Sequence, residues 1–135
     1  MKKIILSILS MFIFTSFLYA DFKTISNENL EAAIKEGISV IDIRRLDEWS
    51  DTGVVPSSRK LTFFDEKGKY DLSKWMSQFE KIVKNKNQKF ILVCRSARRT
   101  GIVGDFLSQK AGYKNVYHLE GGIVSWMKDN KKTVK

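Results

Sequence analysis

Cys94 is the only cysteine of the 135-residue chain, and it stands in the stretch FILVCRSARRTGIVGDFL, residues 90–107. Arg95, Arg98 and Arg99 follow it within five residues. A single thiol cannot close a disulfide within its own chain, so it is no structural staple. Free cysteine is among the most buried residue types, and an inert core role is the bland expectation. The surroundings argue otherwise. The apolar run before Cys94 reads as a strand that delivers it to a loop, and a helix pattern follows. Backbone amides at a helix start lack partners and carry partial positive charge. A loop curling around the sulfur would aim further amides at it. Three guanidinium groups add full charges. All of these favour thiolate over thiol, and a thiolate is a nucleophile at neutral pH. No HExxH, CxxC or Walker pattern points to a metal or organic cofactor, so none is expected.

Such a loop needs a scaffold, and the rest of the chain reads as one. The pattern predicts a short strand over 22–25. SNENLEAAIKEG (26–37) predicts a helix that Ser26 or Asn27 can cap, with Leu30, Ala33 and Ile34 on one face and Gly37 as its stop. SVIDI (39–43) reads as a buried strand, RRLDEWSDTG (44–53) as a short helix or turn, and RKLTFF (59–64) as a further strand. A polar turn separates that strand from LSKWMSQFEKIVKN (72–85), a helix capped by Asp71 with apolar residues at helical spacing. KFILVC (89–94) is the most apolar strand. TGIVGDFLSQKAG (100–112) reads as a helix with Ile102, Val103, Phe106 and Leu107 inward. NVYHL (115–119) is the fifth strand and GIVSWMKDN (122–130) the closing helix. Strands alternating with helices imply an α/β fold: a five-stranded, mostly parallel sheet with helices on both faces. Chemistry in such sheets gathers at the carboxyl ends of strands, where Cys94 stands.

The composition, 43% hydrophobic with eight glycines and one proline, suits one domain and argues against disorder. Residues 1–20 read differently: Lys2 and Lys3 precede an uncharged run from Ile4 to Ala20. This is the pattern of a secretory signal peptide cleaved after Ala20, which leaves a domain over 21–135. The competing reading is an uncleaved membrane anchor. Either places the domain outside the cytoplasm, periplasmic or secreted, and no cysteine at the cleavage point offers a lipid site. The full chain carries a net charge of +9. Its lysines are scattered along helix-like segments, which suits a solvated basic face better than nucleic-acid binding. No membrane contact is expected once the segment is removed.

Four segments, in order, carry a resemblance. CRSARRT (94–100) is similar to the active-site loop of rhodanese-like sulfurtransferases, commonly Cys-Arg-Ser-Gly-x-Arg-Ser. VIDIRRLDEW, TGVVPSS and NVYHLEGGIVSW resemble that family's other conserved-pattern segments. The likeness covers nearly all of residues 21–130. It implies a single rhodanese-like domain and a sulfurtransferase that carries a sulfane sulfur as a persulfide on Cys94. Arg95, Ser96, Ala97, Arg98, Arg99 and Thr100 would form the substrate-binding loop. Asp42 and Arg44 would stand beside it, and Glu48 would pair with one of its arginines. The implied partners are a small sulfur-containing anion and a thiol or cyanide acceptor. His118, the only histidine, reads as structural, and Trp49, Trp75 and Trp126 as packing residues.

The chain departs from the family pattern at four places, one of them an extra residue before Gly53. Val54 stands where histidine is usual, Ser57 replaces a glycine, and Ala97 replaces the loop glycine. If the loop requires positive φ at residue 97, alanine is strained there. Two alternatives belong to other classes. Cysteine-dependent phosphatases place their phosphate-binding arginine six positions after the cysteine, where this chain has Thr100. A non-catalytic partner-binding module would use the fold without the chemistry. A redox sensor is disfavoured because no resolving cysteine is present.

Overall fold

Phe90–Val93, four consecutive buried residues, form an interior strand of a five-stranded sheet, and their alternating side chains divide the core in two. A computed structural model describes residues 22–135. Its elements are β1 (Lys23–Ile25), α1 (Asn27–Lys35), β2 (Ser39–Asp42), α2 (Leu46–Thr52), β3 (Arg59–Lys60), α3 (Leu72–Phe79), β4 (Phe90–Val93), α4 (Arg98–Gln109), β5 (Val116–Leu119) and α5 (Gly122–Lys128). The strand order is β1-β5-β4-β2-β3, and all four pairings are parallel. The expected signal peptide lies outside the described residues. No helix among those residues is long and apolar enough to cross a membrane.

Successive strand residues point to opposite faces. Phe90, Leu92 and Cys94 therefore join Trp75 and Phe79 of α3 and Val103 and Leu107 of α4. Ile91 and Val93 join Leu30 of α1 and Ile123 and Trp126 of α5. The helices thus cover both faces, as the alternating pattern requires. An aromatic series runs through the first layer: Trp75 stacks on Phe79, whose ring meets Phe90 and Tyr113 edge-on. Parity alone sends the Cys94 side chain into the α3–α4 layer.

Three differences from expectation bear on the layer that holds Cys94. The third strand shrinks from 59–64 to Arg59–Lys60. Leu61 and Phe63 still donate to the Asp42 and Ile43 carbonyls, at 2.9 and 3.0 Å, but the edge no longer forms a regular ladder. The third helix ends at Phe79, not 85, because the Ile82 and Val83 amides both turn back to the Phe79 carbonyl. That tight turn keeps Val83 buried. The fourth helix begins two residues early, at Arg98. Its buried stripe is Thr100, Val103, Gly104, Leu107 and Ser108, so Ile102 lies outside at 56% exposure rather than inward.

Candidate active site around Cys94

Cys94 follows β4 directly, and Asp42 of β2 lies in register with Val93. The thiol is 1% exposed. Its Sγ lies 3.4 Å from both the Thr100 amide, which donates to it, and the Thr100 hydroxyl. Thr100 is in the first turn of α4, where amides have no intrahelical partner. Thr100 is the one loop residue whose amide reaches the Cys94 sulfur among the described residues.

The turn into α4 depends on Ala97, the residue before the helix, at φ 74° and ψ 0°. This is the left-handed region that glycine fills at little cost, so the strain expected of an alanine here is present. The other side of the loop is held by α5. The Ile123 amide donates to the Cys94 carbonyl at 2.9 Å, and the Val124 amide to the Arg95 carbonyl at 3.2 Å. In a trans peptide the N–H points opposite the C=O. The Arg95 and Ser96 amides are therefore turned away from α5. Gly122 makes this approach possible: at φ 64°, a Cβ there would collide with the Arg95 carbonyl and stand 2.6 Å from the Cys94 oxygen.

The three loop arginines divide by role. Arg99 forms a two-pronged pair with Glu48 of α2, at 2.7 and 2.6 Å. Burial pushes the Glu48 carboxyl up, but the hydrogen bonds from Arg99 and the Arg45 amide, and both arginines' charges, outweigh it and hold it at about 2. The same bonds push Arg99 further above its ordinary range. Arg95 and Arg98 are exposed and have no ion-pair partner among the described residues. With Ser96, Arg99, Phe64 and Glu66 they line a cleft of about 410 Å³ over the loop.

Asp42 and Arg44 lie beside the loop but touch neither the sulfur nor the cleft. Both are essentially fully buried and joined at 2.9 Å. Arg44 also donates to the Thr52 hydroxyl and the Gly53 carbonyl, and Trp49 donates to Asp42. The pair braces α2 against β2, and so sets where Glu48 stands. In the turn after α2, Ser57 holds φ 72°, a left-handed backbone that favours glycine, and Val54 pairs with Val134.

Sequence reasoning missed two contributors. His118 was read as structural, yet its Nδ1 lies 2.9 Å from the Thr100 hydroxyl, itself in contact with the Cys94 sulfur. Parity held the signal: His118 is in register with Leu92, which shares Cys94's face. Burial pushes the His118 imidazole below its ordinary range. Gly122 was read only as the start of the closing helix, and a sequence pattern carries no trace of the carbonyl it must approach. No cluster of metal-ligating side chains occurs among the described residues.

Comparison with known proteins was made on sequence and on structure. The family model described as rhodanese-like domain matches residues 26–129. No curated protein matches the chain. A rhodanese-related protein of Thermoplasma volcanium is similar in structure, with a TM-score of 0.63 and 21% identity over 83% of this chain and 97% of that one. A polysulfide-sulfur transferase of Wolinella succinogenes gives 0.63 and 21%, over 86% and 80%. A Rhodopseudomonas palustris protein of unknown function, described as a possible tyrosine phosphatase, gives 0.60 and 22%, over 84% and 85%. At such identities these likenesses speak to the fold.

Proposed function

The chain belongs to the rhodanese-like domain family, and from that premise we propose that it moves a sulfane sulfur from thiosulfate or a similar donor to a thiol or cyanide acceptor. The observation that carries this reading is the setting of Cys94. Its sulfur is bonded at the first turn of a helix, under a loop with two unpaired arginines. The Cys94 thiolate attacks the outer sulfur of thiosulfate. The sulfur–sulfur bond of the donor breaks, and sulfite leaves with the electron pair. Arg95 and Arg98 hold the dianion and the departing sulfite. The persulfide left on Cys94 extends toward the loop amides. Cyanide, or a thiolate, then attacks its outer sulfur and restores Cys94. These steps draw on no metal or organic cofactor.

Arg99 is committed to Glu48, and Thr100 occupies the position where a phosphatase would carry its arginine. Both features favour sulfur over phosphate. One observation favours a second reading. Cys94 is 1% exposed, so a donor must pass the loop to reach it. A partner-binding module without catalysis would have no need of such access. Thiocyanate formation from thiosulfate and cyanide separates the two. Sulfur transfer predicts parallel double-reciprocal plots, because sulfite leaves before the acceptor binds, and loss of turnover in Cys94→Ser. Absence of thiocyanate from the folded native protein supports the module.

A further inference from the structure

We propose that His118 governs the ionisation of Cys94 through the Thr100 hydroxyl, as a positioning residue that takes up the thiol proton by relay. The inference rests on the reading of Cys94 as a working nucleophile. Three groups form a continuous series. The Cys94 Sγ is 3.4 Å from the Thr100 Oγ1, and that oxygen is 2.9 Å from the His118 Nδ1. All three residues are buried. The Thr100 hydroxyl has one hydrogen, and it is shared among three neighbours: the sulfur, the imidazole and the Ala97 carbonyl at 3.2 Å.

The proton inventory links the two ends. With a neutral imidazole bare at Nδ1, Thr100 donates to His118 and presents lone pairs to the sulfur. The sulfur must then be a thiol that donates to Thr100. With Nδ1 protonated, His118 donates to Thr100, whose hydrogen is released toward the sulfur as a thiolate. Passing between them breaks the S–H bond and forms a new O–H bond on Thr100. The original Thr100 O–H bond breaks, and an N–H bond forms at Nδ1. No atom is lost, net charge is unchanged, and the product is a thiolate and an imidazolium.

Burial pushes the His118 imidazole down, so the imidazolium forms only in company with the thiolate, whose opposite charge offsets that burial. Near the sulfur end, Arg99 is paired with Glu48, and its charge acts on Cys94, Asp42 and Glu48. Glu48, held at about 2, stays ionised through the neutral range. His118 is flanked by uncharged groups: the Phe22 ring edge-on at 4.9 Å, and Thr24 and Leu92 in register across the sheet.

The chain has one histidine, so its imidazole nitrogen resonances need no assignment. We would titrate them in the native protein and record thiolate absorbance in parallel, with Cys94→Ser as the blank. The proposal expects the two midpoints to be linked, and the His118 midpoint to shift in Cys94→Ser. Two variants cut the relay at different points. His118→Gln can bond the hydroxyl but cannot take up a proton, and Thr100→Val keeps the shape. Each should reduce the thiolate-to-thiol ratio at pH 7 about tenfold, equivalent to one pKa unit, and the double variant should be no worse than either. Variant thiolate curves that superimpose on the native one, or a His118 titration unchanged by Cys94→Ser, would overturn the relay. If one variant fails to fold, the other and the native resonances still decide. Neither readout uses a sulfur donor, so a protein inert to thiosulfate could still show the coupling.

Discussion

Ala97 carries a methyl group into backbone that favours glycine, at φ 74° and ψ 0°, and it does so at the turn that aims α4 at the sulfur. The strain is on the order of 1 kcal/mol, reduced by the extra freedom glycine has when unfolded. Ala97→Gly should therefore raise stability by a few tenths to about 1 kcal/mol in a urea titration. A loss of stability would mean that the methyl group packs usefully. Gly122 is the converse case. Gly122→Ala drives a Cβ into the Arg95 carbonyl and should displace the loop, with sulfur transfer lost more completely than fold. Retained native rates would contradict the role given to α5. Cys94, its arginines and the strain at Ala97 were legible in the sequence, because residue type and spacing state them. The links from Thr100 to His118 and from Gly122 to Arg95 were not, because they depend on which strands and helices become neighbours.

Glu48 and Arg99 tie α2 to α4, and this tie makes stability depend on acid. The Glu48 carboxyl sits at about 2 in the folded protein, against an ordinary 4.5. The folded state thus binds fewer protons across that window. The stabilisation is fully present above about pH 4.5 and is lost as pH falls toward 2. Acid titrations of stability should show this slope in the native protein and a shallower one in Glu48→Gln. Identical slopes would place the acid sensitivity elsewhere. At neutral pH the substitution should cost about 1–2 kcal/mol, between the values for exposed and buried pairs. Elements with strong periodicity, such as α1 and β4, match their sequence patterns closely. The short ones do not, since β3 and the end of α3 are set by single turns that periodicity cannot register. Ile102 was misplaced because small and polar residues, Thr100, Gly104 and Ser108, share the buried stripe with Val103 and Leu107, so apolar type alone picked a stripe turned too far toward Ile102.

The molecule as a whole is a parallel sheet that brings the ends of β2, β4 and β5 to one edge, and the loop of Cys94 lies there. That architecture was legible, since alternating strands and helices allow few other arrangements. The pairing of Val54 with Val134 was not, because an isolated bridge between distant residues leaves no periodic mark. The central claim is that this scaffold serves sulfur transfer, and mass spectrometry of the intact protein tests it most directly. After incubation with thiosulfate and removal of the donor, the account predicts a mass gain of one sulfur atom, located on Cys94 and removed by cyanide. An unmodified Cys94 in the folded protein, accompanied by Cys94-dependent hydrolysis of an aryl phosphate, would contradict it.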